Sequence, residues 1–225
     1  MLNPQLQIIL LSLKVATLTT MILIPVGTFL GWLLARKSFP GKSLLDGVVN
    51  VPLVLPPVVT GYFLLVVLGP NSVVGGVLEK VGIRLAFTWT GAVVAAAVVS
   101  MPLLVRAVRA AIDSVDVKLE DAARMLRAGE FRIFFRVTLP LAANGVLAGT
   151  VLAFARALGE FGATVVFASN IQGVTQTMPL AIFSYLNQVD GEAKARTLVI
   201  VSIVLAYLSI LVNEALMRRF KNAAG

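Results

Sequence analysis

The chain contains no cysteine and no histidine. Disulfide bonds, thiolate nucleophiles, zinc sites of the usual Cys/His kind and imidazole acid–base catalysis are therefore excluded. Charge is scarce as well. Only 13% of the 225 residues are Asp, Glu, Lys or Arg, about half the share of an ordinary soluble domain. Hydrophobic residues make up 58%, and mean hydropathy is +0.93. Such a chain crosses a membrane several times and leaves little length for a soluble domain. The net charge of +8 does not point to nucleic acid, because the basic residues are scattered between apolar runs rather than gathered in one patch.

A helix needs about 20 apolar residues to cross a bilayer. Stretches of that kind lie at approximately residues 10–35, 47–69, 85–108, 138–158 and 197–217. The expected fold class is an all-α polytopic membrane protein with about five transmembrane helices, forming a single transmembrane domain over residues 1–225. No cleavable signal peptide is expected, since no Lys or Arg precedes Lys14 and the apolar run after it is too long. Residues 161–190 are nearly uncharged yet hold Ser169, Asn170, Gln172, Thr175, Gln176 and Thr177. They are too polar to face lipid and read as an extracytoplasmic or re-entrant segment with a short helix near 179–186.

Orientation follows from charge. With residues 110–137 inside, most of the 19 lysines and arginines fall on the inner side, from Arg36, Lys37 and Lys42 to Arg218, Arg219 and Lys221. Lys14, Lys80, Arg84, Lys194 and Arg196 fall outside. The positive-inside rule then places Asn3 outside and Ala224 inside. The chain is expected in the cytoplasmic membrane as a multi-pass protein.

The most polar stretch is the inner loop, 113–140. Val115, Leu119, Ala122 and Leu126 recur at helical spacing and line one face. Asp116, Lys118, Glu120, Asp121, Arg124 and Arg127 fill the rest, with Glu120 and Arg124 placed for an i,i+4 pair. Gly129 is positioned to stop the helix. A second short helix over 130–137 leads through Leu139 and Pro140 into the next apolar run. Two readings fit: a loop lying at the membrane interface, or a docking surface for a soluble partner.

Other stretches are weaker signals. RKSFPGKS, from Arg36 to Ser43, ends like a phosphate-binding loop. It has Arg36 where the first glycine belongs, and no strand precedes it, so it reads as a basic turn. VPLVLPPVVTGY carries Pro52, Pro56 and Pro57, which break a helix. Either it is a kinked packing helix, or it is a discontinuous one beside a polar path. Arg156 and Glu160 stand at i,i+4 in ARALGEFGATVVF, either as an ion pair at a helix end or facing a cavity. Gly159 and Gly162 would let another helix approach closely.

The loop resembles the EAA loop of ABC importer permeases, which reads E-A-A, three residues, G, nine residues, I, one residue, L-P. Asp121-Ala122-Ala123 takes the first place, and Val137-Thr138-Leu139-Pro140 takes the last. Arg127 stands at the family glycine, so Gly129 is expected to make the turn. LGEFGAT with Ser169-Asn170, VPLVLPPVVTGY, RKSFPGKS and SVDVKLEDAA together resemble molybdate ABC transporter permeases across most of the chain. Sulfate permeases share a GEFGA-type segment.

This resemblance implies a homodimeric permease subunit that translocates molybdate, with tungstate a further cargo, by alternating access. It implies two ABC ATPase subunits on the cytoplasmic coupling loop and an extracytoplasmic oxyanion-binding protein. The chain would not itself be an enzyme and would hold no cofactor or metal; ATP and Mg would sit on the ATPase. The implied ATPase-coupling residues are Val115, Leu119, Glu120, Asp121, Ala122, Ala123, Leu126, Gly129, Leu139 and Pro140. The pathway residues would be Pro56, Pro57, Thr60, Arg156, Glu160, Ser169 and Asn170. The alternatives are a sulfate or thiosulfate ABC permease and an ATP-independent secondary transporter or channel. The latter is disfavoured because there is no internal repeat and almost no intramembrane charge.

Overall fold

The computed structural model describes residues 3–223; Ala224 lies outside them, as do the side chains of Arg218, Arg219 and Lys221. Among the described residues all regular structure is helical. The elements are α1 (Pro4–Arg36), α2 (Lys42–Val54), α3 (Pro57–Leu68), α4 (Val73–Lys80), α5 (Trp89–Asp113), α6 (Val117–Met125) and α7 (Glu130–Ile133), then α8 (Leu139–Leu158), α9 (Gly162–Phe167), α10 (Met178–Leu186) and α11 (Glu192–Ala223). A π-helical stretch, Phe134–Thr138, joins α7 to α8, so that Glu130–Leu158 is one helix of 29 residues.

Among the described residues four helices are long and apolar enough to cross a membrane: α1, α5, Glu130–Leu158 and the Glu192–Val212 part of α11. The single span expected over 47–69 is instead two helices, α2 and α3. Pro56 and Pro57 offer no N–H, and a residue before proline avoids helical backbone. Leu55 accordingly turns extended, with φ −71° and ψ 143°. The α3–α4 pair bends by 60° and is apolar enough together to count as a fifth, broken span. The ends also differ. Helix α1 begins at Pro4, where Asn3 accepts a hydrogen bond from the Gln5 N–H at 3.0 Å and proline occupies the first helical position. Helix α5 continues past residue 108 to Asp113.

The most enclosed span is α5, and α1 and α8 clasp it from two sides. Each uses two glycines four residues apart. A Cβ on Gly27 would lie 2.6 Å from Leu104 Cδ2, and one on Gly31 would lie 2.6 Å from Val108 Cγ1. On the other side Gly145 meets Ala111 and Gly149 meets Ala107. Lipid supplies no hydrophobic force between helices, so association rests on close packing, which small residues permit. One buried polar contact joins two helices: Ser12 Oγ donates to the Ile8 carbonyl at 2.9 Å and accepts the Met178 N–H at 2.7 Å, fastening α10 to α1. Helix α11 is the least enclosed span and turns Ile200, Ile203, Val204 and Tyr207 outward.

Candidate coupling surface and translocation pathway

Helix α6 starts where Asp116 accepts the Lys118 N–H at 2.9 Å. It ends in a paired closing turn: the Ala128 N–H reaches the Ala123 carbonyl at 3.1 Å, and the Arg127 N–H reaches the Arg124 carbonyl at 2.9 Å. The residue that closes this turn is Arg127, at φ +60°, and not Gly129, which has φ −70° and precedes α7. The left-handed conformation thus falls at the family's glycine position although arginine occupies it, at a cost of about 1 kcal/mol.

The expected apolar stripe divides in two. Val115 is buried beside Ile112 and Ala142 in the protein's own core. Leu119 and Ala122 are exposed, and Leu126 is 84% exposed. Met125, absent from the expected stripe, joins them at 86%. Ala123 is half-buried against the chain itself, while Asp121 is exposed and pairs with Arg124 at 2.6 Å. The outward face of α6 is therefore Leu119, Ala122, Met125 and Leu126.

Glu120, expected on the polar rim in a pair with Arg124, points inward and is 2% exposed. Burial leaves a carboxylate costly unless it is well paired. Arg36 Nε donates to both carboxylate oxygens at 3.0 Å, and Thr138 Oγ1 donates to Oε1 at 2.7 Å. The expected i,i+4 ion pair with Arg124 is also present, at 3.8 Å. Arg36 also donates through Nη2 to the Val115 carbonyl at 2.8 Å, holding the corner between α5 and α6. Arg124 also bonds Glu130, more closely, at 2.7 Å. Its hydrogen bonds with Glu130 and then Asp121 raise the guanidinium pKa above its ordinary value, so it stays charged.

Pro140 explains the π stretch. It cannot donate a hydrogen bond back along the helix, and its ring crowds the carbonyl four residues earlier. The helix widens just before it, and the Leu139 N–H bonds the Phe134 carbonyl. Thr138 is thereby buried facing Glu120, Leu139 is half-buried and Pro140 is exposed. Phe134 packs on Trp32 of α1 with ring centroids 5.4 Å apart.

The residues expected to line a pathway fall into two groups. Pro57 and Thr60 lie on α3, which packs on α9. A Cβ on Gly162 would lie 2.7 Å from Pro57 Cβ, and one on Gly61 would lie 2.6 Å from the Ala163 carbonyl oxygen. Thr60 is buried, and its hydroxyl makes no hydrogen bond; Pro56, just before α3, is exposed. Beside this contact the chain turns from α8 to α9. There Arg156 Nη2 meets Glu160 Oε2 at 2.6 Å, and the Ala163 N–H donates to Glu160 Oε1 at 2.7 Å. Glu160 is thus a buried ion-pair partner that also caps α9. Ser169 and Asn170 sit past the other end of α9. The Ser169 carbonyl accepts from Thr175 Oγ1 at 3.0 Å, and Asn170 bonds Ser184 at 2.7 Å and Gln176 at 3.0 Å. These two hold a loop together and are not gathered with Thr60 or Arg156. Among the described residues no group of His, Cys, Asp and Glu is arranged to hold a metal.

Residues 27–222 match the family described as binding-protein-dependent transport system inner membrane component. The chain belongs to this family. It is 54% identical over 224 residues to the molybdenum transport system permease protein ModB of Escherichia coli K12, covering 99% of this chain and 98% of that protein. The ModB of Haemophilus influenzae is 49% identical over 96% of this chain and 94% of its own length. A probable sulfate transport system permease protein of Chlorokybus atmophyticus is 39% identical over 73% of this chain and 57% of its own length. The fold is similar to the solved MetNI methionine ABC transporter, with a TM-score of 0.73 at 17% identity over 98% of this chain and 99% of that one. It is also similar to a bacterial alginate ABC transporter solved in complex with its periplasmic protein, with a TM-score of 0.75 at 18% identity over 95% and 78%.

For this inner membrane component, sequence reasoning passed over Arg36 and Thr138, which fix the inward face of α6. In the sequence Arg36 is an inner-side charge in a basic turn, and no spacing rule joins residues 84 positions apart. The paired glycines at 27 and 31 and at 145 and 149 were also passed over, although that spacing is itself a readable sign of close helix packing.

Proposed function

We propose that this permease carries molybdate inward across the cytoplasmic membrane as the membrane subunit of an ABC importer. It works as a homodimer, with ATP and Mg bound on two separate ATPase subunits and cargo delivered by an extracytoplasmic oxyanion-binding protein. The observation that carries this reading is the 54% identity, nearly end to end, with a molybdenum transport permease. Tungstate, an anion of the same shape and charge, is a second cargo.

The physical account agrees. A bare dianion is far too costly in hydrocarbon, so its path must be wet or lined with donors. Glu160 already neutralises Arg156, which leaves hydroxyls and backbone amides as the lining. Weak lining suits passage, because a tight site would not release its ion. Affinity then resides in the delivery protein. The ATPases dock on the outward face of α6, and their closure shifts the spans between outward- and inward-facing states.

With five crossings, counting α3–α4 as the broken one, the N-terminus is outside and the C-terminus inside. A reporter fused ahead of Asn3 should be active only outside, and one fused beyond Ala224 only inside. Both ends on one side would overturn the odd number of crossings.

The 39% identity to a sulfate permease favours sulfate as the competing cargo. In proteoliposomes holding the complete importer, molybdate or tungstate with the binding protein should stimulate ATP hydrolysis more than sulfate does at equal concentration. Equal or greater stimulation by sulfate would move the chain to the sulfate branch.

A further inference from the structure

Glu120 does not belong to the outward face of α6, yet it is the acidic residue of that helix withdrawn from water. Asp121 beside it stays exposed. A helix that needed only anchoring would be held as firmly by an apolar residue, since replacing a buried ion pair with packed hydrophobic side chains is often neutral or stabilising. What the charged contact adds is direction and register. Its partners are informative. Arg36 is the last residue of α1, and Thr138 lies in the π stretch leading into α8. Glu120 binds Arg36 at 3.0 Å and Thr138 at 2.7 Å. Both α1 and α8 are seated on α5 through their glycine pairs. A displacement of α6 would therefore pull on the ends of two long helices that are packed closely on the central one.

We propose that Arg36, Glu120 and Thr138 form the link through which motion imposed on α6 reaches the membrane helices, with Glu120 as its positioning residue. This rests on the docking role given above to the outward face of α6, and it adds what happens on the opposite face. Glu120→Gln keeps the size of the side chain and an acceptor for Thr138 but removes the charge toward Arg36. Thr138→Val removes one hydroxyl at nearly constant shape.

The test uses the complete complex in proteoliposomes, with ATPase and molybdate-loaded binding protein. Glu120→Gln should retain attached ATPase, while the ratio of stimulated to basal ATP hydrolysis per assembled complex falls about tenfold, as for loss of a typical coupling energy. Thr138→Val should lower the ratio by a smaller factor, and the double variant should fall no further than Glu120→Gln. A merely structural role would reduce the amount of assembled complex and leave the ratio unchanged; that outcome overturns the proposal. So does loss of ATPase attachment in Glu120→Gln, which would place the residue in docking itself. If Glu120→Gln fails to insert, Thr138→Val decides, and a wild-type ratio there overturns the proposal. Failure of the docking role itself reads differently, as ATPase retained on an Ala122→Glu variant.

Discussion

Ala122→Glu is expected to leave the membrane helices in place and abolish attachment of the ATPase. Ala122 lies on the outward face of α6 with Leu119, Met125 and Leu126. A partner that covers this face must come close at the small residue. Glutamate there would clash and bury a carboxylate without a counterion, costing about 3–5 kcal/mol. That corresponds to a loss of roughly two to four orders of magnitude in affinity. The measurement is co-purification of the ATPase with the permease, beside the amount of permease in the membrane and its elution volume in detergent. Lys80→Glu, at the end of α4, is the control and should keep the ATPase bound. Sequence alone would allow Ala123 as well, but the structure selects Ala122. Ala123 is half-buried against its own chain, so a charge there would disturb α6 whether or not a partner docks. Full attachment and transport with Ala122→Glu would remove the docking role from this face.

Gly61→Val is expected to cost most of the folded, active permease. A Cβ at residue 61 would stand 2.6 Å from the Ala163 carbonyl oxygen and 2.8 Å from Ala163 Cα. Both are backbone atoms, so no change of rotamer relieves the contact, and α3 must separate from α9. Overpacking of this kind costs about 1–3 kcal/mol, occasionally more. It also strains the neighbouring contact of Gly162 with Pro57 and the turn that Glu160 caps. Thermal unfolding in detergent should shift downward, and transport should be lost. Gly47→Val is the matched control, since a Cβ there meets nothing within 4 Å. A Gly61→Val permease that is as stable and active as the parent would show that the α3–α9 contact is dispensable.

How far the sequence could be read depended on the range of the interactions involved. The helical class and the apolar spans followed from runs of apolar residues, a property of each segment by itself. The break at Leu55 followed from two adjacent prolines, yet composition could not say whether one bent span or two separate helices resulted. Helix α6 was readable as a helix, but not which way it faced. Its apolar residues looked like one stripe, whereas the inward anchor is Glu120. That choice depends on Arg36 and Thr138, brought together only by the packing of α1 and α8 around α5. Arg127 was misjudged for a different reason. Glycine is the usual left-handed residue, so Gly129 drew the turn, whereas the helix length fixed by Asp116 and the two closing hydrogen bonds places it at 127.

The π stretch gives the loop a fixed count. In an ordinary α-helix each added or removed residue rotates everything beyond it by about 100°. The wide turn at Phe134–Thr138 behaves as one extra residue held in place by Pro140. A one-residue deletion there would swing α7 about the helix axis, taking Glu130 away from Lys37, which it now meets at 2.9 Å, and from Arg124. The interval from Ala122-Ala123 to Leu139-Pro140 is therefore a phase setting between α6 and the span. Relatives with this proline should tolerate changes of side chain within the interval far better than changes of its length.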